Sequence, residues 1–174
     1  MIQFNEEELK ALRTLIAVDL INSAKKIDLS IRKSLKAKLY GKERISLFID
    51  GAADLNNGIS GIGGVIFQNG KEIARFSRHL GKATNNEAEY QALIDGVKVI
   101  LKIKRLNVDI YSDSELIVKQ IKGQYKVKNE RMVVLNRKAK EILNKLDFWT
   151  ISHISRKKNS IADKLAKSGM RDLT

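Results

Sequence analysis

Cysteine and proline are absent from this 174-residue chain, tryptophan occurs once and histidine twice. Without thiols, a disulfide framework and a thiolate-held metal are both excluded, which fits a reducing compartment such as the cytoplasm. The two histidines, His79 and His153, form no pair at ligand spacing, which argues against zinc. No apolar run approaches the ~18 residues of a membrane helix, so no membrane partner is expected. The N-terminus, MIQFNEEELK, is acidic where a secretory signal is basic, and no targeting segment is read in it.

What is present is charge and a core. Hydrophobic residues make up 43% of the chain, enough for a folded domain rather than a disordered one. Net charge is +13, which favours a polyanionic partner, nucleic acid first. Residues 1–43 hold nine Lys or Arg against six Asp or Glu, so +10 falls on the remainder.

Residues 1–42 read as a small N-terminal helical segment. Asn5 is positioned to cap a first helix with Leu9, Leu12, Ile16 and Leu20 at helical spacing, and Asp28 a second with Leu29, Ile31, Leu35 and Leu39. From residue 43 the pattern changes. Ile45, Leu47 and Ile49 alternate as a strand ending at Asp50. Gly58, Gly61, Gly63 and Gly64 punctuate a turn into a second strand, Val65–Gln68. Asn69-Gly70 then signals a hairpin into a third, Lys71–His79. A helix from about Asn86 to Lys104 follows, then a strand at Asn107–Ser112 and helices at Ser114–Ile121 and Glu130–Leu146. A fifth strand, Phe148–Ile154, precedes a last helix, Ser160–Ser168, ended by Gly169. The order β-β-β-α-β-α-α-β-α predicts an α/β domain over 43–174, a five-stranded mixed sheet flanked by helices.

Four carboxylates stand out. Asp50 and Asp113 each close an apolar strand, where sites form in open α/β sheets. Glu87 and Glu89 open the long helix. At about 100° per residue they lie about 200° apart and cannot share a face. Glu89 precedes Leu93 by four and joins the apolar stripe of Leu93, Val97, Ile100 and Leu101. Glu87 falls with Gln91, Lys98 and Lys102 on the wet side, a first-turn acid near the helix N-terminus. Asp163 lies beside Ile161, Ala162, Leu165 and Ala166 on the last helix. Carboxylates gathered without partners repel and raise one another's pKa, which a divalent cation relieves. An all-oxygen set suits Mg²⁺ or Mn²⁺.

FIDGAA, TNNEAEYQALIDG, YSDSELIVKQIKG, YKVKN and KNSIADKLA, in this order, resemble type 1 ribonuclease H over about residues 44–170. The resemblance implies the family fold and hydrolysis of the RNA strand of RNA–DNA hybrids, leaving 5′-phosphate and 3′-hydroxyl ends. It implies two Mg²⁺ ions, with Mn²⁺ an alternative. Asp50 would bridge them, Asp113 and Glu89 would hold one, and Asp163 the other. The family glutamate is the last residue of NNxxE, which is Glu89. Asn56, Thr84, Asn85 and Asn86 match positions near backbone phosphate and the minor groove, although turn and N-cap roles suit the same residues.

Two departures place the chain near a short archaeal and bacterial subclass. Many members carry a histidine on a loop before the last aspartate. Here WTISHIS alternates as a strand, which puts His153 on it and leaves Arg156 or Lys158 for the loop role, as a charge near the phosphate. The basic protrusion is replaced by GQYKVKN, whose Lys122, Lys126 and Lys128 are expected at DNA-strand phosphates. Residues 1–42 match nothing in the family pattern. They are expected to strengthen hybrid binding through Lys33, Lys36 and Lys38, an idea refuted if residues 43–174 alone bind with unchanged affinity across several salt concentrations. The same fold also serves nucleases of double-stranded RNA and DNA, and a non-catalytic hybrid-binding module is the remaining alternative.

Overall fold

The computed structural model describes residues 45–104 and 107–171, and the N-terminal helical reading of 1–42 lies outside them. The described elements are β1 (Ile45–Asp54), β2 (Ile59–Gln68), β3 (Lys71–His79), α1 (Asn85–Lys102), β4 (Asn107–Ser112), α2 (Glu115–Ile121), α3 (Glu130–Leu143), β5 (Phe148–His153) and α4 (Ser160–Arg171). A 3₁₀ turn, Arg156–Asn159, leads into α4. The sheet order is β3-β2-β1-β4-β5. β1, β2 and β3 form the antiparallel meander, and β1, β4 and β5 run parallel. This is the five-stranded mixed sheet expected. No described helix is long and apolar enough to cross a membrane.

β1 lies at the centre because both its edges must pair and one face must be dry. Ile45, Leu47 and Ile49 are fully buried, and with Ile62, Ile66, Val108 and Ile110 they form the sheet side of the core. α1 covers that face through Leu93, Val97 and Ile100, all fully buried, each contributing on the order of 1.5–3 kcal/mol. Its first turn is closed by a capping box: the Thr84 hydroxyl accepts from the Glu87 N–H, and the Glu87 carboxylate accepts from the Thr84 N–H at 2.8 Å. α3 buries Met132, Asn136, Ala139 and Leu143, while Val133 and Val134 face outward. Asn136 Nδ2 donates to the Tyr90 hydroxyl, and that hydroxyl donates to Gln120 Oε1. One buried chain of hydrogen bonds thus joins α3, α1 and α2.

α3 stops at Leu143 rather than Leu146 and β5 at His153 rather than Ile154, and three further boundaries differ from the sequence reading for related reasons. β1 runs four residues past Asp50, and β2 begins at Ile59 rather than Val65, so Gly61, Gly63 and Gly64 lie inside a strand and form no turn. A Cβ on Gly63 would stand 2.2 Å from the Ala166 amide nitrogen, and one on Gly61 2.4 Å from that of Met170. These glycines let the backbone of α4 rest directly on β2. α4 itself continues through Gly169 to Arg171. Gly169 does not end the helix but faces the β3 backbone at Arg78, whose carbonyl oxygen is 2.7 Å from where a Cβ would be.

Candidate active site

β1 and β4 pair in parallel only as far as Ile49 and Ser112. Beyond that rung β1 continues against β2 alone, with Asp50 opposite Gly63. Asp50 therefore ends the ladder with β4 rather than its own strand. Asp113 leaves β4 at the same level, so the two acids sit together where the parallel pairing of β1 and β4 stops. The next residue on β1, Gly51, points to the other face. A Cβ there would come within 2.3 Å of the Glu89 backbone nitrogen. That missing side chain lets the first turn of α1 sit on β1 and carries Glu89 to the same place. On the opposite face, the Gly61 and Gly63 contacts bring in α4 with Asp163.

Asp50, Glu89, Asp113 and Arg156 line one cleft of about 480 Å³, with Asn85 and Lys167 beside them. Glu89 is 6% exposed and Asp50 5%. Burial, then the charges of Asp113 and Asp163, pushes Asp50 up from 3.8 to about 7. Burial, then Asp50 and Asp113, pushes Glu89 up from 4.5 to about 9, against a hydrogen bond with Ser112. Glu89 Oε2 is buried with no hydrogen-bond partner, and Asn85 Nδ2 donates to Oε1 at 3.4 Å. Asp163 is in a different state. Burial pulls its carboxyl up, but Lys167 and Arg156, each 2.7 Å away, together hold it below the usual range.

The donor set fits a hard divalent cation. Glu89 presents an unpaired buried oxygen, Asp50 and Asp113 stand beside it in the cleft, and burial disfavours ionisation of Glu89 and Asp50 unless positive charge is added. Among the described residues, no three acids are already gathered tightly enough to enclose an ion. Asp113 and Asp163 are engaged by neighbouring donors.

The remaining sequence candidates are dispersed. Thr84 is the α1 N-cap, Asn85 is at the cleft, and Asn86 is exposed on the first turn. Asn56 lies on the β1–β2 turn, its backbone N–H donating to Asp54 Oδ1 at 3.0 Å. Lys126 and Lys128 are exposed between α2 and α3, outside the cleft lining. Of the two loop candidates only Arg156 reaches the carboxylates. Lys158 lines a separate hollow of about 210 Å³ with Phe48, Val65, Phe67 and Ile161. His153 is the last residue of β5 and exposed. Glu87 is drier than its wet-face assignment implies, with its side chain 17% exposed beneath the capping box and 3.8 Å from Arg131.

Two neighbours escaped the sequence reading. Asn159 is 1% exposed, and its Nδ2 donates both to the Ile49 carbonyl at 2.9 Å and to Asp113 Oδ1 at 2.6 Å. It ties the turn before α4 to β1 and fixes Asp113. It lies in the KNSIADKLA stretch, where its residue type alone suggests no more than a loop asparagine. Lys167 had a signal, since it stands four residues after Asp163 on one helix.

A family model described as reverse transcriptase-like matches residues 48–169. Ribonuclease HI of Halobacterium salinarum is 32% identical over 130 residues, 74% of this chain. The chain belongs to the ribonuclease H family. It spans 65% of the length of that archaeal ribonuclease and 35% of that of three mycobacterial relatives. The crystal structure of RNase H1 from Halobacterium salinarum superposes with a TM-score of 0.72 at 32% identity, covering 74% of this chain and 98% of that one. LC11-RNase H1, isolated from compost and solved in complex with an RNA/DNA hybrid, gives 0.69 at 34% identity, covering 73% and 96%. The ribonuclease H frame therefore extends over β1 to α4.

Proposed function

We propose that this chain is an endonuclease that hydrolyses the RNA strand of RNA–DNA hybrids, leaving 5′-phosphate and 3′-hydroxyl ends. One observation carries the reading. Asp50, Glu89 and Asp113 meet in one cleft where the pairing of β1 with β4 stops, with a buried, unpaired Glu89 oxygen turned into a field of negative charge. A hybrid-bound relative on the same frame supports the substrate class. Asp50, Glu89 and Asp113 would hold one Mg²⁺ or Mn²⁺, and Asp50 with Asp163 a second. Bound there, such ions lower the pKa of a nucleophilic water and neutralise charge on the leaving 3′ oxygen.

The chain's own groups supply position and charge. Arg156, 71% exposed at its side chain and paired to Asp163, would meet the scissile phosphate as a permanent cation rather than a titrating base. Asn85, beside Glu89, presents an amide where a minor groove lined with 2′-hydroxyls would lie, with Asn86 and Thr84 following on the same turn. Asn56 serves backbone phosphate, and Lys126 and Lys128 serve the DNA strand, contacts that orient without reading sequence. All four acids are present, which favours catalysis over a binding module.

The test is cleavage of a labelled hybrid beside matched double-stranded RNA and DNA, with Mg²⁺ or Mn²⁺, for the natural chain and Asp50→Asn. Hybrid cleavage lost in Asp50→Asn is expected. Cleavage of DNA duplex but not hybrid overturns the assignment, and cutting of double-stranded RNA widens it.

A further inference from the structure

Asp163 is the one acid of the group that is already neutralised. Lys167 Nζ stands 2.7 Å from Oδ2 and Arg156 Nη2 2.7 Å from Oδ1, so a cation occupies each carboxylate oxygen. Glu89 is the opposite case, with an oxygen buried and unpaired. Both cations line the cleft that holds Asp50, Glu89 and Asp113. They are not equivalent. The field of Arg156 acts on Asp50 and Glu89 as well as Asp163, whereas Lys167 makes its ion pair with Asp163 from the same helix. Lys167 stands one turn after Asp163 on α4, and Arg156 belongs to the 3₁₀ turn before it. Their side chains are 53% and 71% exposed, so both are free to leave the carboxylate without disturbing the core.

We propose that Lys167 and Arg156 form a cationic clamp that competes with a divalent ion for Asp163, with Lys167 setting the cation affinity of that half of the site. The inference rests on the metal-dependent reading above. It makes the two halves of the site unequal before any nucleic acid arrives. The half built on Glu89 has a carboxylate oxygen with no partner, and the half built on Asp163 already has a cation on each oxygen. A phosphodiester in the cleft offers both cations another anionic acceptor. Their transfer to it frees the Asp163 oxygens at the moment the substrate is in place. Lys167 is thus a positioning residue that acts through Asp163.

The experiment is a Mn²⁺ titration of the nucleic-acid-free full chain, by calorimetry and by electron paramagnetic resonance of free Mn²⁺. It compares the natural chain with Lys167→Met and Lys167→Arg. Lys167→Met should tighten the weaker class of site roughly two- to fivefold, as expected for release of one partly exposed ion pair. The tighter class should not move, and Lys167→Arg should titrate like the natural chain. Adding Asp163→Asn to Lys167→Met should cancel the gain. Superimposable titrations of the natural chain and Lys167→Met overturn the clamp. Identical titrations of the natural chain and Asp50→Asn instead overturn the metal-binding reading beneath it.

Discussion

Replacing Asp50 by Asn should stabilise the metal-free protein at pH 8 while removing its activity. In the folded state Asp50 titrates at about 7, against an ordinary 3.8, chiefly because it is buried and because Asp113 and Asp163 are nearby. A folded-state value above the unfolded one means that protons favour folding. The favourable contribution of Asp50 is complete below about pH 3.8 and is lost as pH rises through about 7. Above that, ionised Asp50 opposes folding by at most ~4 kcal/mol, from 1.36 kcal/mol per tenfold change in proton affinity. The cleft is open to solvent and Arg156 offsets part of the field, so about 1–3 kcal/mol is expected. The substitution keeps the acceptor for Gly51 N–H, because the amide oxygen replaces the carboxylate, and it sets an NH₂ rather than a charge beside Asp113 and Asp163. Thermal unfolding in EDTA should show Asp50→Asn melting roughly 3–8 °C higher at pH 8, with the difference vanishing near pH 4. Saturating Mg²⁺ should then raise the natural chain more than the variant, by mass action on the folded state. Equal melting temperatures at pH 8, or a difference that persists unchanged at pH 4, refutes the electrostatic account.

Glu89→Gln should abolish hybrid cleavage, whereas Glu87→Gln should keep turnover nearly intact and cost about 1 kcal/mol through the weakened capping box, read by urea unfolding. Gly63→Ala should destabilise by about 3 kcal/mol, because its Cβ meets backbone atoms of α4 that cannot rotate away, and should also impair cleavage by displacing Asp163. Failure to lower the urea midpoint would mean α4 can lift off β2 freely. His153→Ala should retain most of the turnover with the fold intact, since His153 lies exposed at the end of β5 and outside the cleft lining. Loss of most activity in that variant would return the loop-histidine role to it.

What the sequence disclosed and what it hid differ in the range of the physics involved. Helix phase separated Glu89 from Glu87 because one face of α1 must pack on the sheet, and a rotation of about 200° leaves only one of the two on that side. Glu89 is indeed buried with Leu93, Val97 and Ile100. Alternation and helical spacing are equally local, so β4 was bounded at Asn107–Ser112 and α2 to within one residue, Ser114 proving to be its cap. The glycines were misread because the letter carries two meanings. One is a break in the chain; the other is a place where another backbone must come within a Cβ's reach. Only the second applies at Gly61 and Gly63, as it does at Gly51, which was given no reading, and the atoms that decide it belong to Ala88, Glu89, Leu165, Ala166 and Met170, brought there by the crossovers. Asn159 makes the same point for polar groups. Its partners are Asp113 and the Ile49 carbonyl, 46 and 110 positions away. A pattern of short period cannot encode such a contact. Yet these two features hold the carboxylates together: missing side chains bring α1 and α4 onto the sheet, and one buried amide fixes Asp113. The acids announce a site through their chemistry, while the residues that assemble it are legible only after the chain has folded.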